Sequence, residues 1–315
     1  MTVMGVAEKE HSGWTEEAGW RSFRLINDLS RPHGTSVNDC SEVEKYRFAS
    51  VSDAYGLMVP KGYMAKVDFA EAYRSVPLHS RLWRYFVWEW QGTAMMDTRP
   101  MFGHKAGPGL FTELSQAVVR KMKGAGCPGT IGYLDDILVV ADTQAECQHC
   151  YDSLVELVQF LGFKVNPKKL TPPTQDILYL GIRLQTNADG DGACRSSIDE
   201  ERVQRVSALC TRVARQQFIK RKDLEGLMGL LNFCAQVVYG ARLYMRSGYA
   251  LQSYMRRNKL HRTGVTRALR ADLLFWTSFL VLFMNGKAMD GVRRVVSTDF
   301  FAVDASTSIG MGGQL

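Results

Sequence analysis

The sequence predicts an α+β protein, and three observations predict it. Short β-rich runs, YMAKVDF at 63–69 and IGYLDDILVVAD at 131–142, are interspersed with helical segments through the first 185 residues. A hundred residues of basic, helix-periodic sequence follow. The stretch 297–315 then turns strand-like (FFAVDAS) and ends glycine-rich. Three domains are expected on this pattern, at 1–185, 186–296 and 297–315. With 315 residues, 46% of them hydrophobic, the chain can bury more than one core.

Taken in order, residues 21–30 (RSFRLINDLS) read as a strand entering a turn at Arg31-Pro32-His33-Gly34. Residues 41–57 read as a helix, 63–69 as a strand with Asp68 near its end, and the aromatic and β-branched run 82–90 (LWRYFVWEW) as another strand. Residues 109–122 read as a helix. A breaker-rich loop, 124–129, leads into a strand pair around Tyr133–Asp136. Residues 143–161 are a helix opened by a Thr143/Glu146 capping box, with Cys147, Cys150, Leu154, Leu157, Val158 and Leu161 on one apolar face. Three more stripes mark the basic segment: Val203, Val206, Cys210 and Val213; Leu224, Leu227, Met228 and Leu231; Leu269, Leu273, Trp276 and Leu280.

The net charge of +7 is unevenly spread. Between Arg202 and Arg270 stand 15 Lys and Arg against only Asp223 and Glu225, a local charge of +13, so the rest of the chain carries −6. A polyanion such as nucleic acid suits that segment, and solvated helix faces account for it equally well. No apolar run approaches a membrane span, and Glu8, Lys9 and Glu10 interrupt any secretory leader. Seven scattered cysteines without scaffold spacing fit a reducing, intracellular compartment, cytoplasmic or nuclear. Cys147 and Cys150 have CxxC spacing but lack a second pair for zinc, and their place on an apolar helix face reads as core packing.

Two acidic sites stand out: Asp68 in KVDFAEAYRSVPL, and the adjacent Asp135 and Asp136 inside an apolar run. Buried carboxylates are costly unless paired, hydrogen-bonded or bound to a cation. A strand-end Asp and a hairpin Asp pair meet if their strands are neighbours, and the result is an oxygen-only site suited to Mg²⁺ and to two-ion phosphoryl transfer. Each signal alone also reads as a solvated turn.

The order of motifs resembles the reverse transcriptases of retrotransposons. FRLINDLSRPHGTSVND (23–39) is similar to their fingers motif, KVDFAEAYRSVPL (66–78) to the first palm motif, and FGHKAGPGLFTELSQAV (102–118) to the motif under the incoming nucleotide and template. YLDD (133–136) resembles the catalytic hairpin, and LGFKVNPKK (161–169) and YLGIRL (179–184) resemble the two motifs that follow. The wording LSRPHGTSVND points within that family to DIRS-type elements, with gypsy-like elements next.

The resemblance implies a right-hand polymerase fold: fingers and palm over 1–185 and a basic helical thumb and connection over 186–296. It also implies the start of an RNase H-like domain over 297–315. The implied activity is RNA-directed DNA polymerisation, a nucleotidyl transfer from dNTP to a primer 3′-hydroxyl with pyrophosphate release. Asp68, Asp135 and Asp136 would be catalytic and hold two Mg²⁺ ions, with Mn²⁺ as a substitute. Arg24 would contact the triphosphate, or lie as a solvated arginine at a strand edge. Tyr73 would exclude a ribose 2′-hydroxyl, or pack under the sheet. Phe102 and Gly103 would line the nucleotide pocket. Lys168 or Lys169 would serve the pyrophosphate, or be a solvent lysine. Tyr179, Leu180 and Gly181 would form the primer grip. The implied partners are dNTPs and an RNA or DNA template with its primer, with no membrane.

Asp304, in FAVDASTSIGMGG (301–313), would match the first RNase H carboxylate. The others are missing, so no RNase H activity is expected of what resembles a fragment or a shortened gene product. The sequence also departs from the family. The segment before the fingers motif is short, Lys9 is a poor match for an early basic residue, and His104 and Lys105 stand where small or apolar residues are common. A cation there would face template phosphates. The alternative functions are a catalytically dead relic that only binds nucleic acid and, less well supported, a two-metal nuclease.

Overall fold

The computed structural model describes residues 3–8, 23–43, 45–70, 72–165, 167–190, 192–238, 240–282, 287–289, 302–306 and 310–314. The chain divides into two compact units, one of residues 1–54 and 61–186, the other of 55–60 and 187–315.

The first unit opens with the antiparallel pair β1 (Val3–Glu8) and β2 (Phe23–Asp28), followed by α1 (Val37–Cys40) and α2 (Val51–Tyr55). Next come β3 (Tyr63–Asp68), the hairpin β4 (Val87–Trp90) and β5 (Thr93–Met96), and α3 (Gly107–Gly124). The hairpin β6 (Thr130–Tyr133) and β7 (Asp136–Ala141), α4 (Gln144–Phe160), β8 (Thr171–Thr174) and a second hairpin, β9 (Asp176–Tyr179) with β10 (Ile182–Gln185), complete it. Its central sheet runs β6-β7-β3-β8, all antiparallel. β8 reads TPPT, and two prolines are tolerated there because the strand lies at the sheet edge.

Burial explains the strand sequences. Ile137 to Val140 are all buried, as expected of a strand covered on both faces, which needs a continuous apolar run rather than alternation. α3 packs on β6, and α4 on β3, β7 and β8. The resulting core holds Val67, Phe111, Val118, Met122, Ile137, Leu154 and Val158. Each such side chain contributes roughly 1.5–3 kcal/mol, and several together offset the cost of placing a carboxylate at the sheet's end.

The structure corrects four readings. Residues 41–50 are not helical; a new helix starts only after Ser50, where Asp53 accepts from the Ser50 backbone and hydroxyl, both at 2.7 Å. Residues 80–85 form a 3-10 helix capped by the His79 ring, and only Val87–Trp90 is strand. α4 has the expected Thr143/Glu146 capping box but ends at Phe160, so Leu161 caps it and lies half exposed, off the apolar face. Finally, Cys150 is joined to Cys127 in a disulfide with Cα atoms 5.7 Å apart, because the loop at 124–129 carries Cys127 beneath the apolar face of α4. Cys147 remains a buried thiol, its pKa pushed up to about 11 by burial.

In the second unit β11 (Cys194–Ser197) pairs with β14 (Lys287–Met289), β12 (Phe218–Lys220) with β13 (Arg262–Gly264), and β15 (Ala302–Ser306) with β16 (Gly310–Gln314). The helices are α5 (Glu200–Arg215), α6 (Arg221–Cys234), α7 (Arg246–Arg257) and α8 (Arg267–Leu282). α5 packs on α8 and α6 on α7. All three expected apolar stripes are buried, from Val203 to Leu280. Arg205, Arg212, Arg215, Lys222, Arg256, Arg257 and Arg267 are left exposed. Lys9 and residues 297–301 lie outside the described residues, as do the side chains of Arg24, Lys168 and Asp304.

Candidate active site

Strand register brings the carboxylates together. Asp68, the last residue of β3, is the cross-strand partner of Asp136, the first residue of β7. Tyr133 and Asp136 close a two-residue turn made of Leu134 and Asp135. The Phe69 N–H donates to the Asp135 carbonyl at 3.0 Å, tying the turn to the end of β3. Leu134 has φ of 50°, a left-handed conformation that costs a leucine roughly 1–2 kcal/mol and tends to persist where a site over-determines it.

Two lysines meet these carboxylates. Lys169, at the end of the 3-10 turn Pro167–Lys169, donates through Nζ to Asp68 Oδ2 at 3.0 Å. Asp68 is almost fully buried and Lys169 is 55% exposed. Lys66 lies two residues before Asp68 on the same face of β3, with Nζ 3.5 Å from Asp136 Oδ1 and a side chain only 16% exposed. That contact is an ion pair by distance without hydrogen-bond geometry, so the buried Asp136 Oδ1 has no hydrogen-bond partner among the described residues.

The electrostatics follow from this packing. Burial pushes the Asp136 carboxyl up to about 6; Lys66 pulls against it, Asp68 and Asp135 add to it, and Lys169 opposes it. For Lys169, burial pulls the ammonium down, but the hydrogen bond and charge of Asp68, with Asp136 and Asp135, outweigh it and leave the pKa raised.

The remaining expected residues divide. Tyr73 sits in a 3-10 turn with its ring edge-on to Phe102 (5.6 Å) and Phe111 (5.9 Å). Burial, then the charge of Asp135, lifts its hydroxyl to about 12. Tyr73 therefore touches the core while standing beside the carboxylates. Gly103 has φ of 106°, and a Cβ there would lie 2.2 Å from the Asn27 carbonyl oxygen, so the close approach that requires glycine is to β2. Asn38 fixes that junction, donating to the Gly103 carbonyl and accepting from the Lys105 N–H, both at 2.9 Å. The His104 ring stands edge-on to Phe86, its Nε2 lies 3.1 Å from Ser41 Oγ, and burial lowers its pKa. Lys105 is exposed.

Leu180 (φ 49°) and Gly181 (φ 78°) form the β9–β10 turn, but the Tyr179 side chain is fully buried and its hydroxyl is unpartnered. Burial, then Asp136, raises its pKa.

Among the described residues no three His, Cys, Asp or Glu are already gathered as a metal-ligand shell. The lysine ammoniums lie against the Asp68 and Asp136 oxygens that a metal would use. The donor set still fits Mg²⁺: every donor is a hard carboxylate oxygen, and one is buried without a hydrogen-bond partner. Sequence reasoning missed Lys66, Asn38 and the Cys127 partner. Only Lys66 had a readable signal, its two-residue spacing from Asp68.

Crossed carboxylates at the end of an antiparallel sheet backed by two helices define the palm of a right-hand polymerase. The same fold is found in a foamy viral protease-reverse transcriptase in complex with double-stranded DNA, with TM-score 0.66 and 17% identity over 85% of this chain and 42% of that one. Residues 32–184 match the family model for reverse transcriptase (RNA-dependent DNA polymerase). The Gag-Pol polyprotein of avian reticuloendotheliosis virus is 25% identical over 197 residues, 57% of this chain and 16% of that protein. That of feline leukemia virus is 28% identical over 203 residues, 59% of this chain and 11% of that protein. The chain thus spans less than a fifth of these curated relatives.

Proposed function

We propose that the chain is the RNA-directed DNA polymerase part of a retroelement. It adds dNTPs to a primer 3′-hydroxyl and releases pyrophosphate. The observation that carries this reading is the cross-strand pairing of Asp68 with Asp136 beside Asp135, inside the segment that matches the reverse transcriptase family.

Asp68, Asp135 and Asp136 would hold the divalent ions. Bound there, such ions supply charge neutralisation for the triphosphate and a more acidic 3′-hydroxyl. Lys169, exposed and on a short turn, is free to move from Asp68 to the pyrophosphate oxygens as negative charge builds on them. Tyr73, braced by Phe102 and Phe111, presents a fixed ring against a ribose 2′-hydroxyl. Arg24 is assigned to the triphosphate. The Leu180-Gly181 turn is assigned to the primer, and the exposed basic residues of α5 to α7 to duplex phosphates in a sequence-tolerant way.

The finer assignments belong to the same proposal: a DIRS-type or gypsy-like element, an intracellular site of action, and β15 with Asp304 as the beginning of an RNase H-like fold. The test is dNTP incorporation on poly(rA)/oligo(dT) with Mg²⁺ or Mn²⁺. Incorporation by the native chain, lost in the Asp135→Asn/Asp136→Asn variant, supports the reading. A folded chain that binds the duplex and incorporates nothing overturns it in favour of a nucleic-acid-binding role.

A further inference from the structure

We infer that Lys66 is a resident cation of the catalytic centre, a positioning residue that keeps the carboxylates from binding divalent metal tightly before nucleotide arrives. The inference rests on Asp68, Asp135 and Asp136 being the metal-binding set.

The two lysines of the site differ in how they are held. Lys169 stands on a three-residue turn and is 55% exposed, so it can be displaced. Lys66 is in the middle of β3, bonded into the sheet between β7 and β8, and its side chain is 16% exposed. With Val67 and Ala65 buried on the opposite face, the backbone offers Lys66 no second orientation: a strand residue reverses its face only if the register slips. Its Nζ is thereby packed into the site, 3.5 Å from Asp136 Oδ1.

A fixed ammonium beside a ligand oxygen competes with any second cation for that oxygen's charge. In the nucleotide-free site, three carboxylates face two ammonium groups and little charge is left to attract a metal. A triphosphate brings enough negative charge to balance the metal ions and Lys66 together. Metal loading is thereby coupled to nucleotide binding, and the free protein does not sequester divalent ions.

The test is Mn²⁺ binding to the full chain at pH 8 without nucleotide, read by electron paramagnetic resonance, for the native protein, Lys66→Met, Lys66→Arg and Asp135→Asn/Asp136→Asn. Circular dichroism melts establish folding. Lys66→Met is expected to bind Mn²⁺ roughly ten- to a hundredfold tighter, the scale on which outer partners of metal ligands act. Lys66→Arg, which keeps the charge, should stay near the native affinity. Unchanged or weaker binding in folded Lys66→Met overturns the inference, as does Lys66→Arg behaving like Lys66→Met. If Lys66→Met does not fold, native-like affinity in Lys66→Arg together with several-fold tighter Mn²⁺ binding in folded Lys66→Gln sustains it, and unchanged affinity in Lys66→Gln overturns it. Should the Asp135→Asn/Asp136→Asn variant bind Mn²⁺ as well as the native chain, the metal-site reading itself fails, whatever Lys66 does.

Discussion

The first unit contains two hairpins that begin alike and end differently. YLDD closes β6 onto β7, and YLGI closes β9 onto β10. Both put a tyrosine at the strand end and a leucine at left-handed φ, 50° for Leu134 and 49° for Leu180. The second then uses Gly181 at φ 78°, as a two-residue turn ordinarily requires, and buries its tyrosine completely. The first places Asp135 where the second has glycine, leaves Tyr133 half buried, and follows with a second carboxylate. The two turns share a left-handed leucine and part at the next residue, where Gly181 is left-handed and Asp135 is not. Both leucines carry the same left-handed strain, so what sets YLDD apart is desolvated charge, the feature expected where a site rather than the turn dictates the residues.

The largest effect that would break the comparison is on catalysis. Asp135→Asn/Asp136→Asn should lower incorporation by roughly a thousandfold or more, since the charge that would hold metal is gone. The same variant should keep its fold, with a thermal midpoint within a few degrees of native, because Asn fits the turn and Asp136 gives up a charge that burial disfavours. A collapse of stability alongside activity would mean the aspartates are structural.

Next in size is Gly181→Ala. Alanine at φ 78° should cost about 1–2 kcal/mol in urea unfolding, while incorporation per folded molecule falls much less. An activity loss matching that of the aspartate variant would give the second hairpin a chemical role of its own.

How much of this was readable in the sequence differs by region. Three of the four basic helices, α5, α6 and α8, were readable, because Val203, Val206, Cys210 and their counterparts recur at helical spacing, whereas α7, with Leu251 and Met255 buried, was not read. The carboxylate site was readable as residue types. Its register was not, since pairing Asp68 with Asp136 depends on strands 68 residues apart meeting edge to edge. Cys127 and Cys150 were hidden for the same reason: a loop residue finds a helix residue only in three dimensions. The break at 41–50 and the 3-10 turn at 80–85 were missed because side-chain caps, Ser50 with Asp53 and His79, override propensity. Lys66 was overlooked although its two-residue spacing from Asp68 announced a shared face.

A smaller effect sharpens the contrast between the tyrosines. Tyr179→Phe removes a buried hydroxyl that has no hydrogen-bond partner, so it should be neutral or stabilising by up to about 1 kcal/mol. Tyr133→Phe, half exposed and packed near Phe48 at 5.2 Å, should change stability by less than about 0.5 kcal/mol. Destabilisation by Tyr179→Phe would reveal a bound water on that hydroxyl.

The smallest effect separates the two leucines. Glycine at either position relieves left-handed strain of roughly 1–2 kcal/mol and gives back roughly 0.5–1 kcal/mol in chain entropy. Leu134 also packs against the palm core, and losing that contact cancels the remainder. Leu180→Gly should therefore come out about 0.5–1 kcal/mol more stable than Leu134→Gly in matched urea titrations. Equal values would mean that the Leu134 side chain contributes nothing to the core. In that case the proposed role of Asp135 would explain why the YLDD hairpin keeps its leucine, and Leu134→Gly should lower incorporation even though the protein is no less stable.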